Sequence, residues 1–196
     1  MSTLTKFALG MMGQLRPKPA QGNATPRIAL PAPQKQGGMP LMEALAKRRS
    51  ARDFAPTELP PQMLSDLLWA AYGVNRPDKK REGGGRTAPS AINAQEINLY
   101  VALPSGAYHY DAAAHALDLV AAGDLRRVTG YQDFVDDAPL DLVFVADFRP
   151  MKLVPASQRE SYASVAAGAI SQNIYLFAAS AGLATVIRAW IDRNAI

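Results

Sequence analysis

From Gln158 to Gly182 the sequence runs QRESYASVAAGAISQNIYLFAASAG, without a proline and with apolar residues nearly all the way round a helical wheel. A helix of that kind does not rest on a surface with one face in water; it has to be packed on most sides. Ala166, Ala167, Gly168 and Ala169 are small, so other backbones are expected to approach it closely. Gly182 is placed to stop it, because glycine enters the left-handed conformation of a helix C-cap without a Cβ penalty. Whatever else folds here must cover this helix, and the rest of the sequence supplies a sheet to do so.

INLYVAL (97–103) alternates and reads as a strand, PSG turns it, and AYHYD (107–111) returns as a hairpin partner. LDLVAAGD (117–124) adds an edge strand. PLDLVFVADF (139–148) carries a continuous apolar run of the kind found at a sheet centre covered on both faces. LATVIRAWI (183–191) reads as a last strand. Two helices precede the sheet. PLMEALAKRRS puts Leu41, Met42, Leu45 and Ala46 at helical spacing and ends in cations, which suit a helix C-terminus. TELPPQMLSDLLWAAYGV opens on Pro60 and Pro61 and buries Met63, Leu64, Leu67, Leu68 and Ala71. The order predicts an α+β sandwich, its central and mostly antiparallel sheet flanked by helices.

Residues 14–40 hold six prolines and three glycines, which predicts an extended arm over 1–38 and a domain over 39–196. NRPDKKREGGGR (75–86) is polar and glycine-rich and reads as a mobile loop. No apolar run approaches the roughly 20 residues that span a bilayer. The segment Phe7 to Met12 is too short and glycine-broken for a good secretory signal, so the expected address is the cytoplasm, with the periplasm as alternative.

The absence of cysteine excludes disulfides, thiolate metal sites and thiol nucleophiles. EGGGRTAPS lacks both the Gly-Lys-Ser/Thr ending of a phosphate-binding loop and the spacing of a dinucleotide fingerprint. His109 and His115 are the only histidines, and no catalytic or metal arrangement can be built around them; His109 is expected in an ordinary surface or cross-strand role. DFVDDAPLD (133–141) reads as a solvated loop. No catalytic side chain and no metal ligand set emerges. What remains are residues fit to hold a cofactor that brings its own reactivity. Arg48, Arg49, Ser50 and Arg52 put three guanidinium forks and a hydroxyl into five positions, suited to a phosphate dianion, although a solvated basic helix end reads the same way. Pro89 and Ser90 then make a turn, and the amides of Asn93 and Gln95, which donate and accept together, lead into a strand.

The order R-R-S-x-R-x-F, then P-S-x-x-N-x-Q before a strand, then a small-residue helix with Gln172 and Asn173 closed by AGLAT, resembles the nitroreductase-like flavoprotein family, from about Leu41 to Ile196. The similarity is to a shorter bacterial branch with an arginine in a strand like TVIRAW. It implies a homodimer holding FMN at the subunit interface and passing electrons from NAD(P)H to a small acceptor such as a nitroaromatic or a quinone. On that resemblance Arg48, Arg49, Ser50 and Arg52 bind the phosphate and ribityl end. Pro89 and Ser90 come from the partner subunit and Asn93 meets the ring edge. The backbone amides of Arg188 and Ala189 sit near N5 and O4, and the Arg188 cation favours the negative charge of the reduced ring. The family continues past DRNAI with a helix and a strand, so the domain is expected to be incomplete at its C-terminus, and DKKREGGGR is placed to act as a lid or a flexible rim over the substrate face. Two rival readings stand beside this one. A flavin dehydrogenase or oxidase acting on a small organic or peptide-derived substrate, as branches acting on azolines do, would need an active-site Lys-Tyr pair, which is not evident. A nucleic-acid module would use Lys79, Lys80, Arg81, Arg86, Arg126 and Arg127, but without any recognisable motif; neither nucleic acid nor membrane is an expected partner.

Overall fold

The computed structural model describes residues 1–78, 83–191 and 193. Its centre is a five-stranded, wholly antiparallel sheet. Strands β4 (Ile97–Leu103) and β5 (Gly106–Asp111) form the expected hairpin, with Tyr100 opposite His109. Strands β6 (Ala116–Ala122) and β7 (Asp141–Ala146) complete the expected set, and β1 (Arg27–Ala29) is an addition. The spatial order is β1-β6-β5-β4-β7. Two short strands, β2 (Val74–Arg76) and β3 (Gly85–Arg86), make a separate ribbon. The loop expected over 75–86 is thus paired at both ends; its charged tip, Lys79 to Glu82, lies outside the described residues.

Four helices accompany the sheet: α1 (Thr3–Met11), α2 (Leu41–Lys47), α3 (Pro61–Tyr72) and α4 (Ala156–Ala181). Helices α3 and α4 pack on one another and on the sheet. Leu64, Leu67, Leu68 and Ala71 of α3 and Ala163, Ala166, Ile170 and Ile174 of α4 meet Leu99, Val101, Tyr108, Tyr110 and Leu117. Both sets recur at three- and four-residue spacing, which puts them on one face of each helix. Gly182 caps α4 in the left-handed conformation, φ 70° and ψ 27°, as its sequence position predicts.

Several expectations are corrected. Strand β7 is an edge strand, not the sheet centre, and Val145 on it is exposed; its apolar run faces a cavity on one side rather than another strand. Strand β6 is internal because β1 takes the edge beyond it. Residues 183–191 form no strand. Their hydrogen bonds go instead to single partners: Thr185 O accepts from Ala51 N, Ile187 N donates to Tyr175, and Trp190 O accepts from Tyr131 N. Helix α4 is not covered all round, since Val165 is 70% exposed and a Cβ on Gly168 would meet open space. Residues 133–141 are only partly solvated: Asp133 and Asp137 are exposed, but Val135, Ala138 and Asp141 are buried.

The N-terminal 38 residues are extended where their prolines require it, yet packed. Lys6 of α1 is fully buried, its Nζ 2.7 Å from Asp136 and 2.9 Å from the Gln132 carbonyl. Phe7 sits edge-on to Tyr131, and Leu15 packs on Val128 and Tyr131. Lys18 and Asp124 exchange backbone bonds of 2.9 and 3.0 Å. Past β1 the arm is stitched to α3 by Ser65, which donates to the Pro31 carbonyl, and by Asp66, which accepts from Gln34 N. His115 supports this seam: its Nε2 lies 2.7 Å from Ser65 and its Nδ1 2.9 Å from the Tyr110 hydroxyl. With the Ser65 proton on Pro31, Nε2 carries the imidazole hydrogen and Nδ1 accepts. His109 meets Tyr100 across the hairpin, the tilted rings 5.2 Å apart.

Candidate functional site

Helix α2 stops at Lys47, and Arg48 turns the chain into an extended path at ψ 124°. That path runs beside the segment leaving the Gly182 cap, tied by Ala51 N to Thr185 O at 3.0 Å. Tyr175, on the buried side of α4, joins the two. Its hydroxyl accepts from Ile187 N at 3.0 Å and shares a hydrogen bond with Ser50 Oγ at 2.8 Å. The Arg48 guanidinium lies 5.3 Å from the same ring, a cation–π distance. Tyr175 carries no sequence signal of this role, since nothing local names its partners. Tyr175→Phe keeps the ring under Arg48 and removes both hydrogen bonds. The expected result is a loss of about 1–3 kcal/mol in urea unfolding, because the Ile187 amide is left without an acceptor.

Arg48, Arg49, Arg188 and Ala189 all line one cavity of about 1820 Å³, bounded by residues 46–60, α4, β7 and residues 182–191. Arg52 is exposed at its rim, 5.9 Å from the ring of Phe134, which also lines it. Among the described residues, Arg48, Arg49 and Arg52 form no ion pair with a carboxylate. Clustered cations held on ring faces rather than on carboxylates repel one another, and an anion between them relieves that. The backbone amides of Arg188 and Ala189 likewise make no hydrogen bond to other described residues.

Arg188 is held differently from the other arginines. Its Nη2 lies 2.7 Å from Asp141 Oδ1 and 3.0 Å from Thr129 Oγ1, and Nη1 donates to the Thr129 carbonyl at 2.8 Å. Burial pushes the Asp141 carboxyl up to about 6; Arg188 and Thr129 offset this only in part. The guanidinium also occupies the place a side chain on Gly130 would need.

Pro89, Ser90 and Asn93 do not reach this cavity. They line a separate cleft of about 600 Å³ with Arg76, Gly84, Gly85 and Arg86. There Ser90 Oγ accepts from Gln95 N at 2.9 Å, and the amides of Asn93 and Gln95 both donate to the Gly84 carbonyl, at 3.4 and 2.6 Å. Gln95 in turn accepts from Arg86 Nε at 2.9 Å. Ile92, Asn93 and Gln95 hold φ of 49°, 53° and 54°. Non-glycine residues in this region cost on the order of 1–3 kcal/mol each, and such strain gathers at functional sites.

The described basic residues of the nucleic-acid reading are not gathered on a surface. Lys79, Lys80 and Arg81 lie outside the described residues. Arg86 is taken up by Gln95, and Arg127 lies 3.7 Å from Asp136. Arg126 is buried against Asp124 at 2.7 Å. Among the described residues no group of acidic or histidine side chains is arranged to hold a metal, and no helix is long and apolar enough to cross a membrane.

Comparison with known proteins gives a consistent result. Residues 45–196 match the model of the family described as "Nitroreductase family". A curated protein of Methanocaldococcus jannaschii, named "Putative nitroreductase", is 32% identical over 156 residues, covering 74% of this chain and 76% of that one. The crystal structure of a "putative nitroreductase" from Ralstonia eutropha JMP134 is 52% identical, covers 91% of this chain and 83% of its own, and superposes with a TM-score of 0.84. The E. coli microcin synthetase McbBCD complex, 18% identical with a TM-score of 0.60 over 96% of this chain and 82% of that one, shares the fold.

Proposed function

Since the chain belongs to the nitroreductase family and is an oxidoreductase, we propose that it is an FMN-dependent enzyme that takes electrons from NAD(P)H and gives them to a small acceptor such as a nitroaromatic or a quinone. The observation that carries this reading is the meeting, in one cavity, of unpaired arginines at one place and of the Arg188 and Ala189 amides at another. The donor set suits the cofactor. Arg48, Arg49 and Arg52 would hold the phosphate by charge-assisted bonds, with Ser50 beside them. The Arg188 and Ala189 amides would bond the polar edge of the ring. FMN, when bound, supplies the redox chemistry, accepting two electrons from the nicotinamide and releasing them to the acceptor in a ping-pong order. The protein's own contribution is placement and charge; no side chain is assigned as acid, because solvent supplies protons.

Homodimer formation is part of the proposal. Pro89, Ser90 and Asn93 stand in a different cleft from the arginines, so their joining one flavin requires a second copy. The open Cβ position at Gly168 and the exposed Leu41, Met42 and Val165 give that copy an apolar surface.

The visible spectrum of the purified protein tests the reading. Flavin absorption is expected, either as isolated or after incubation with FMN, and anaerobic NADH or NADPH is expected to bleach it. A preparation that takes up no FMN removes the proposal. Uptake without bleaching by either nucleotide would keep the flavin and replace the nicotinamide by another donor.

A further inference from the structure

The Arg188 guanidinium is fixed by three hydrogen bonds from two directions, and the glycine at 130 is what leaves room for it. Its counter-ion is less well served. Asp141 Oδ1 binds Arg188, but Oδ2 is buried and has no hydrogen bond among the described residues. The Thr129 hydroxyl beside it donates to the Arg126 carbonyl at 2.9 Å. A buried ion pair with one oxygen unsatisfied is a poor stabilising device compared with apolar residues of the same volume. Its position points elsewhere: Thr129, Asp141, Arg188 and Ala189 share one wall of the cavity.

We propose that Asp141 is the positioning residue for Arg188 in the flavin site, fixing where the guanidinium stands and cancelling its charge, so that the wall's pull on an anionic ligand is set by the pair and not by the arginine alone. The inference rests on the reading of the cavity as an FMN site. It also makes the wall's charge depend on pH. The charged groups facing Asp141 are Arg188 from residues 183–191 and Arg126 from the 126–129 turn. Arg126 is itself bonded to Asp124 and faces Glu58. With the Asp141 carboxyl raised to about 6 by burial, the pair is neutral overall at pH 7.5 and carries the full Arg188 charge at pH 5.

Asp141→Asn keeps the shape and an oxygen for Arg188 while removing the charge. The two-electron potential of bound FMN is measured in both proteins at pH 5 and 7.5. At pH 7.5 the variant is expected to favour reduced over oxidised flavin about tenfold more than wild type, an upward shift of ~30 mV. At pH 5 the gap closes, because the wild-type carboxyl then carries a proton. Equal potentials at both pH values overturn the inference. The flavin-free proteins give a second readout. The wild type is expected to lose unfolding stability relative to Asp141→Asn as pH rises from 5 to 7.5, since a raised carboxyl disfavours the ionised folded form. Parallel profiles overturn the inference too. A wild type that takes up no FMN removes the functional reading, and the flavin-free profiles then decide the ion pair by themselves.

Discussion

Replacing Arg48 and Arg52 together by alanine is expected to leave a colourless protein whose affinity for FMN has fallen about a hundredfold or more. Each charge-assisted bond to a phosphate is worth about 1.5–3 kcal/mol, and about 1.4 kcal/mol is tenfold in affinity. The loss should be specific to the ligand. Arg52 is exposed, and Arg48 touches the protein mainly through the Tyr175 ring. The unfolding midpoint in urea is therefore expected to move little, while fluorescence titration with FMN registers the whole effect. Riboflavin, which lacks the phosphate, should lose far less affinity than FMN. A double variant that still holds FMN as tightly as wild type would show that the arginine cluster serves something else.

Arg126→Met is expected to have the largest effect on stability, about 3–5 kcal/mol, because it strands a buried carboxylate. Asp124 has no exposed surface; Arg126 covers it with bonds of 2.7 and 2.8 Å and reaches the Ala138 carbonyl at 2.8 Å. Burial by itself would raise the Asp124 carboxyl, but the Arg126 bonds prevail and hold it below the usual carboxylate range. The contribution of the pair is therefore complete above pH of about 4 and is lost as pH falls through the lower folded value. Asp141 acts in the opposite sense, weakening the fold as it ionises near 6. Urea unfolding of Arg126→Met at neutral pH measures the first effect. Asp124→Leu combined with Arg126→Met should recover much of the loss, since the pair is then replaced by apolar volume.

What the sequence revealed was what is locally specified. The hairpin of β4 and β5 follows from alternation around PSG, and the end of α4 follows from Gly182. The opening of α3 follows from Pro60 and Pro61. The arginine cluster was legible too, because its charges are contiguous. The unread parts depend on distant partners. TVIRAW is rich in β-formers, yet its bonds go to Ala51, Tyr175 and Tyr131, none of which offers a ladder. Periodicity does not tell an edge from a centre, so β7 was misplaced. Lys6 and Asp141 look like solvated charges in sequence; they are buried, and each meets an opposite charge far along the chain. Tyr175 and the Asp141–Arg188 pair stayed hidden for the same reason.

The placement of β1 at the sheet's rim has a temporal consequence. Arg27 bonds Asp118, 91 positions later, so during translation β1 has no ladder to join until β6 is made. At about 5–20 residues per second that wait is roughly 5–18 s. Its prolines keep it stretched and unable to form ladders of its own meanwhile. Strand β1 is thus made well before the neighbour that seats it.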